Sequence, residues 1–175
     1  SGIFVKIYSL HTEQLVNQPV KSVFEFFSRP ENLSKITPAS LGFKILTPSP
    51  IEMNKGTLIN YTIRLLFMRI RWTTLITSYD PPHKFIDEQL KGPYSFWHHT
   101  HTFKETENGT LIIDDVRYVL PFLFLGRIAH FLFVRKQLKK IFSYRSSVIS
   151  EIFKSDDQNK SESASLEIKI GGLEV

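Results

Sequence analysis

Seven segments of the chain carry the hydrophobic patterning of β-strands. The first, Ile3–Leu15, alternates apolar and polar side chains and is followed by two short helical segments. The remaining six follow one another directly from Leu41 onward. They are Leu41–Thr47, Thr57–Leu66, Ile70–Tyr79, Lys84–Lys91, Tyr94–Lys104 and Thr110–Leu120.

Turn-forming residues separate the later strands, as in Asp80-Pro81-Pro82, Gly92-Pro93 and Asn108-Gly109. These connections are too short for the crossovers that parallel strands need. The six strands are therefore predicted to form an antiparallel meander.

Helical patterning occurs after the first strand and again at the end of the chain. Pro19 suits the first turn of a helix, Pro30 ends that helix, and Glu31–Ile36 can add one more turn. From Gly126 to about Phe153 the apolar residues recur with the period of a long helix. Its apolar stripe is predicted to contain Phe131, Val134, Leu138, Ile141, Phe142, Val148, Ile149 and Ile152.

Length and composition predict one domain with a sizeable apolar interior. The chain has 175 residues, of which 42% are hydrophobic and 15 are phenylalanine. It contains no cysteine, which excludes disulfides and thiolate zinc sites. We expect one domain over residues 1–154 and a polar, disordered tail over 155–175.

The charge distribution is uneven, with a net +5 overall. Residues 155–175 carry −3, which leaves +8 on the residues before them. Aromatic residues alternate with basic ones only sparsely, so we do not expect nucleic-acid binding. We expect no signal peptide, and the longest apolar run, Phe122–Val134, is shorter than the roughly 20 residues that span a bilayer. These features favour a cytoplasmic protein.

Several stretches resemble a known superfamily. Asn32–Pro38, Asp80–Phe85, Asp87–Tyr94, Trp97–Phe103 and Ile141–Arg145 are similar to START/Bet v 1-like (SRPBCC) proteins, most closely the bacterial polyketide cyclase/dehydrase and lipid-transport group. The resemblance implies an α+β helix-grip fold. A curved seven-stranded antiparallel sheet would wrap around the long C-terminal helix, with two short helices after the first strand. It also implies an apolar cavity between the sheet and that helix.

The strand patterns indicate which residues line such a cavity. With a turn at Leu66–Arg69, Tyr61 shares the inner face of the sheet with Trp72 and Thr74, and arginines occupy the outer face. Trp97 is expected to add a further aromatic wall. Ordinary core packing is the alternative interpretation of these residues.

A polar row is predicted beside this apolar wall. A five-residue loop at Lys91–Ser95 places Asp87 opposite His99. A turn at Asn108-Gly109 then places His99 opposite Tyr118. Asp87, His99 and Tyr118 would form one cross-strand row on the inner face.

Four interpretations of this row remain open at the level of sequence, with Gln89 and His101 beside it on the same face. It can be a structural hydrogen-bond network, or a polar patch that orients an amphipathic ligand. It can also be an acid/base pair of Asp87 and His99. A metal site using His99, His101 and either Asp87 or Asp114 is the least favoured interpretation, because a His-x-His pattern is unspecific. We therefore expect no metal and no cofactor.

Arg145 falls within the apolar stripe of the long helix and therefore needs a partner, since an unpaired buried charge costs several kcal/mol. The partner can be an ion pair with Asp87, Glu88 or Asp114. It can equally be the carboxylate or phosphate of a bound ligand.

The start of the long helix has more apolar residues than one buried stripe accommodates. Basic side chains lie close to them in the sequence, a combination that suits transient contact with an anionic membrane. Burial within the fold is the alternative. The residues concerned are Phe122, Leu123, Phe124, Leu125, Phe131 and Phe133, with Arg127, Arg135, Lys136, Lys139 and Lys140.

The leading expectation is a protein that binds or transports a hydrophobic small molecule, lipid-like or polycyclic. The first alternative is a cyclase or dehydratase in which His99 acts as acid/base and Tyr118 polarises a carbonyl. The second is a protein-interaction domain. Oligomeric state cannot be assigned from the sequence.

Overall fold

The computed structural model describes residues 4–154 and 167–174. It is an α+β helix-grip fold in which a curved antiparallel sheet wraps around a long C-terminal helix, as predicted. The described residues form eight strands, one more than predicted, in the order β2-β3-β4-β5-β6-β7-β1-β8. The strands are β1 (Lys6–Val16), β2 (Lys44–Ile45), β3 (Leu58–Leu65), β4 (Met68–Asp80), β5 (Lys84–Lys91), β6 (Phe96–Thr106), β7 (Gly109–Val119) and β8 (Glu167–Glu174).

In the described part of the chain, three α-helices accompany the sheet. Helix α1 (Val20–Phe27) and two short 3-10 segments, Pro30–Ile36 and Ala39–Leu41, follow β1. A π-helical turn at His130–Val134 joins α2 (Leu123–Ala129) to α3 (Arg135–Ile152). Together these make one 30-residue element, called the long helix below. None of the helices in residues 4–154 is long and apolar enough to cross a membrane.

The eighth strand comes from the segment predicted to be a polar tail. Strand β8 pairs antiparallel with β1, from Lys6 opposite Glu174 to Glu13 opposite Glu167. The sequence alternates apolar and polar residues over Glu167–Ile170, a strand pattern that the charged composition of the tail obscured. The predicted disorder of 155–166 lies outside the described residues.

The interior has two adjoining clusters. One surrounds α1, whose Val23, Phe24 and Phe27 pack against Phe103 and Ile112 of the sheet. The other lies under the middle of the long helix. It contains Tyr8, Leu10, Ile63, Trp72, Trp97, Val116, Tyr118, Leu138 and Phe142.

The predicted apolar stripe of the long helix is wrong at both of its ends. Leu138, Phe142 and Ile149 are buried as expected, but Phe131 is 76% exposed and Ile152 is 40% exposed. The π-helical turn that contains Phe131 inserts an extra residue into the helical repeat, so a uniform 100° per residue misplaces the positions before it.

The predicted register between β6 and β7 is wrong by two residues. The turn is Glu107-Asn108, with Thr106 opposite Gly109, rather than Asn108-Gly109. Gly109 is instead a strand residue with φ +126, and a Cβ there would lie only 2.1 Å from the carbonyl oxygen of Val16. Glycine is therefore required by the close approach of the first strand.

The register change alters the partners of His99 while keeping its face. Asp87 lies opposite His99, as predicted, whereas the residue opposite His99 on β7 is Val116. Tyr118 is opposite Trp97, so the predicted Asp87–His99–Tyr118 row does not form. The turn between β3 and β4 is also shorter than predicted, because Leu65 pairs directly with Met68.

Candidate functional site

A cavity of about 250 Å³ lies between the concave face of the sheet and the long helix. Its wall is mostly aromatic and aliphatic, and a smaller cavity of about 80 Å³ adjoins it toward α1. The two share Tyr61, Phe43 and Leu33. The larger cavity is further lined by Ile63, Leu65, Trp72, Tyr94, Trp97, Val134, Leu138, Ile141 and Phe142.

The aromatic wall is a connected set of ring contacts. The Trp72 ring stacks on Tyr61 at a centroid distance of 5.7 Å and meets Trp97 edge-on at 5.4 Å. Trp72 and Trp97 are both nearly completely buried. Trp72 Nε1 has no hydrogen-bond partner, so this wall carries an unused donor.

The charged and imidazole side chains of the cavity gather at one place. Asp87 on β5, His99 and His101 on β6, and Arg145 on α3 all line it. Alternation along the strands turns Asp87, His99 and His101 inward, and Asp114 of β7 lies behind them on the same face. These five residues are called the polar cluster below.

Two imidazole–carboxylate pairs organise the polar cluster. His101 Nε2 hydrogen-bonds Asp87 Oδ2, and His99 Nε2 lies 2.7 Å from Asp114 Oδ1. The two imidazole rings stack with centroids 3.6 Å apart. Arg145 Nη2 donates to the same Asp114 oxygen at 3.1 Å.

The position of Arg145 is fixed by contacts with two aromatic rings as well as by its ion pair. Its guanidinium lies 5.2 Å from the centroid of Phe27 and 5.7 Å from that of Phe142. Of the partners considered from sequence, Asp114 is the one that Arg145 contacts at ion-pair distance. Arg145 also borders both cavities, where its buried Nε has no hydrogen-bond partner.

Burial and neighbouring charge shift the pKa values of the cluster. Burial, with the adjacent His99, lowers the pKa of His101 to about 4. Burial alone would raise the pKa of Asp114, but the Arg145 charge and the His99 hydrogen bond bring it well below its usual range. Asp87 likewise has a lowered pKa, because its hydrogen bond with His101 and the nearby charges outweigh burial.

The cluster has an excess of one negative charge when both imidazoles are neutral, since two carboxylates face one guanidinium. A proton, a cationic ligand group or a metal ion would neutralise it. Asp87, His99 and His101 each offer one ligand atom within 4.8 Å of the others, a two-histidine, one-carboxylate donor set. The internal hydrogen bonds compete for these same atoms, so a metal would have to displace them.

Two residues predicted for the site lie elsewhere. The Gln89 side chain donates to the carbonyl of Tyr94 at 2.7 Å and accepts from its N–H at 3.1 Å, so it holds the β5–β6 loop outside the cavity lining. Tyr118 is fully buried with its hydroxyl 2.7 Å from Nε2 of His130. Tyr118 lines neither cavity and its hydroxyl is bonded to His130, so the structure does not place it to polarise a ligand group held by His99.

The other predicted residues line the two cavities. Tyr61, Trp72 and Trp97 form the apolar wall, and Thr74 borders the smaller cavity, where its hydroxyl donates to the carbonyl of Glu88 at 3.2 Å. The sequence did not suggest a role for His130, which stacks on Tyr8 at 3.7 Å. The one sequence feature that points to His130 is that it interrupts the apolar run at the start of the long helix.

We expect the free energy of unfolding to fall as the pH is lowered from 7 to 5. The pKa of His101 and of His130 is lowered to about 4, mainly by burial, against about 6.5 in an unfolded chain. Between these values the unfolded state binds protons that the folded state does not. The contribution of these two histidines to the free energy of unfolding is therefore fully present above pH 6.5 and is lost toward pH 4. Urea unfolding at both pH values measures it.

His11 is the matched control, because its pKa is raised by a hydrogen bond with Asp115. Its contribution has the opposite sign, being complete below its unfolded pKa and lost as the pH rises. His11→Gln should therefore steepen the loss on acidification, and His130→Gln should reduce it. A stability that stays level from pH 7 to 5 in both the unsubstituted protein and His11→Gln would contradict this assignment.

Comparison with known proteins finds similarity in structure alone. No protein-family model and no curated protein sequence matches the chain. A protein from Chromobacterium violaceum superposes with a TM-score of 0.64 at 12% identity, covering 85% of this chain and 99% of its own. The ginseng major latex-like protein 151 from Panax ginseng superposes with a TM-score of 0.61 at 12% identity, covering 88% of this chain and 100% of its own. A protein from Thermus thermophilus superposes with a TM-score of 0.61 at 14% identity, covering 82% of this chain and 94% of its own.

Proposed function

Because the chain has the Bet v 1/START-like helix-grip fold, we propose that it binds a hydrophobic small molecule between its sheet and its long helix. The observation that carries the proposal is the cavity of about 250 Å³ with an aromatic wall and one polar end. Small-molecule sites combine such a mainly apolar lining with a few convergent polar groups. The fold alone would not identify a function, since similar folds serve different ones.

The apolar wall would supply most of the affinity. Removing apolar surface from water contributes roughly 25 cal/mol per Å². Tyr61, Trp72 and Trp97 line the cavity with three rings that contact one another, a wall that favours a ligand with a flat aromatic or polycyclic body. An aliphatic ligand of the lipid type would contact Leu138 and Ile141 on the opposite side.

The polar cluster would determine how the ligand is oriented. Arg145 is already paired with Asp114, and when both imidazoles are neutral the two carboxylates outnumber the one guanidinium. This arrangement favours a ligand whose polar group is neutral or cationic and can donate a hydrogen bond toward Asp87 or His101. A carboxylate or phosphate could accept a hydrogen bond from the unpartnered Nε of Arg145, but it would add a negative charge beside Asp87 and Asp114.

Intrinsic fluorescence tests the proposal directly, because the chain has two tryptophans and both line the cavity. Titration with N-phenyl-1-naphthylamine, a neutral aromatic probe, should quench tryptophan emission and sensitise probe emission, with saturation at one probe per chain. The urea-unfolded protein is the control and should show neither effect. Native mass spectrometry should show the same one-to-one complex. Absence of a saturable signal and of a mass adduct would contradict the proposal.

A further inference from the structure

A large apolar surface lies at the start of the long helix. Eight side chains there are between 43% and 78% exposed. Soluble monomers rarely expose contiguous apolar patches of this kind without a binding role. The eight, called the apolar patch below, are Phe122, Leu123, Phe124, Leu125, Ile128, Phe131, Leu132 and Phe133.

The helix in this region contacts the protein through a narrow side. Gly126 packs so closely that a Cβ there would lie 2.5 Å from the carbonyl oxygen of Pro121. One turn later His130 is buried against Tyr8 and Tyr118. The rest of the helix circumference therefore faces outward, which explains why the three consecutive residues 131–133 are all exposed.

A second apolar projection lies at the same end of the sheet. Leu66 is 85% exposed and Phe67 is 100% exposed, in the two-residue turn between β3 and β4. Strand β4 begins at the same end of the antiparallel sheet at which strand β7 finishes, and the long helix starts just after β7. The turn and the apolar patch consequently project from one end of the molecule.

Basic side chains border the apolar patch. Arg135, Lys136, Lys139 and Lys140 are all exposed, and they follow the patch directly along the helix. No acidic residue occurs between Val119 and Ser150. Exposed aromatic and aliphatic side chains next to lysine and arginine are the composition of helices that lie in the interface of an anionic bilayer.

We propose that this end of the protein docks on an anionic lipid bilayer. The apolar patch and the Leu66-Phe67 turn enter the interface, and the basic residues from Arg135 onward contact lipid phosphates. The positive charge of the chain before residue 155 attracts the same surface over a longer distance. A bilayer fits this surface better than a protein partner does, because exposed apolar side chains on two separate elements lie next to basic residues, with no acidic residue between Val119 and Ser150.

Docking would also orient the cavity, a consequence that rests on the proposed function. Leu65, Pro93, Val134 and Gln137 line the cavity while remaining partly exposed. They lie beside the Leu66-Phe67 turn and the end of the apolar patch. An opening among them would face the bilayer, from which an apolar ligand could enter without crossing water.

Vesicle cosedimentation tests the docking. The protein is expected to bind vesicles of phosphatidylcholine mixed with phosphatidylglycerol at least about tenfold more strongly than phosphatidylcholine alone. Phe131→Ser/Phe133→Ser should weaken binding to the anionic vesicles by at least about tenfold. The matched control is Leu46→Ser/Leu58→Ser, which removes two exposed apolar side chains from β2–β3 positions away from the turn. It should bind as the unsubstituted protein does.

Charge reversal separates the two components of the surface. Lys136→Glu/Lys139→Glu should remove the preference for anionic vesicles, whereas Lys55→Glu/Lys104→Glu, with the same change in net charge, should retain most of it. If both double variants lost the preference for anionic vesicles equally, only net charge would matter, and the proposed docking surface would be overturned.

Other occupants give other results. If a second copy of this chain covers the apolar patch, sedimentation velocity will show a dimer that Phe131→Ser/Phe133→Ser makes monomeric, with no vesicle binding. A monomer that binds neither kind of vesicle also overturns the proposal. If the protein binds N-phenyl-1-naphthylamine but no vesicles, the docking proposal fails and the proposed cavity function stands. If it binds anionic vesicles but no probe, the cavity function fails and the docking proposal stands.

Discussion

Replacing Arg145 with methionine is expected to lower the free energy of unfolding by about 3 to 5 kcal/mol, the cost of breaking a buried ion pair from one side. Arg145 is 8% exposed, and its guanidinium is the fixed positive charge beside Asp114. Without it, the buried carboxylate of Asp114 and the partly buried carboxylate of Asp87 would lie on either side of the two imidazoles with no positive charge between them. Methionine keeps an unbranched apolar stem for contact with Phe27 and Phe142, so the loss isolates the charge.

Urea unfolding at neutral pH measures this loss, and two comparisons give it meaning. Arg145→Met/Asp114→Asn should be less destabilised than the sum of its single substitutions, because the orphaned carboxylate is removed. Arg29→Met breaks the exposed Arg29–Glu25 pair and should change stability by less than about 1 kcal/mol. An equally small effect of Arg145→Met would contradict the ion-pair assignment.

The pH dependence of the Arg145→Met effect has a definite sign. The pKa of Asp114 is lowered in the folded protein, so its stabilising contribution is present above the unfolded pKa and lost as the pH falls. In Arg145→Met that contribution is already missing at pH 7. The stability difference between the two proteins should therefore narrow under acid conditions.

The inner face of the sheet was predictable although its pairing was not. Strand side chains alternate with a period of two, so the two-residue register error between β6 and β7 kept His99 and His101 facing inward. The same error changed every cross-strand neighbour and paired His99 with Tyr118 in place of Val116. The register depends on whether Gly109, with its positive φ, lies in the turn or in the strand, and the close approach of Val16 that requires glycine in the strand is a contact distant in sequence.

Arg145 shows the corresponding limit on the helix. Its place in the apolar stripe followed from helical periodicity, and its need for a partner followed from electrostatics. Choosing Asp114 over Asp87 required the three-dimensional arrangement of β5, β7 and α3. The π-helical turn was similarly beyond a fixed period, and it is what exposes Phe131.

Filling the cavity should abolish most probe binding without unfolding the protein. Val134 and Ile141 line the cavity from the long helix and are only partly buried, so larger side chains can be placed there. In Val134→Phe/Ile141→Phe the added rings would occupy the space that a ligand needs beside Trp72 and Trp97. We expect the affinity for N-phenyl-1-naphthylamine to fall by at least about tenfold, or 1.4 kcal/mol.

The interpretation depends on a substitution in the same helix that adds a ring but leaves the cavity open. Val148→Phe makes the same change as Val134→Phe on the same helix, but Val148 packs against the cluster around α1 and lines neither cavity. Its probe affinity should remain within about twofold of the unsubstituted protein. Thermal unfolding of all three proteins separates loss of binding from loss of fold. Binding that survives in Val134→Phe/Ile141→Phe would place the probe outside this cavity, whereas equal loss in Val148→Phe would show that the assay responds to packing in general.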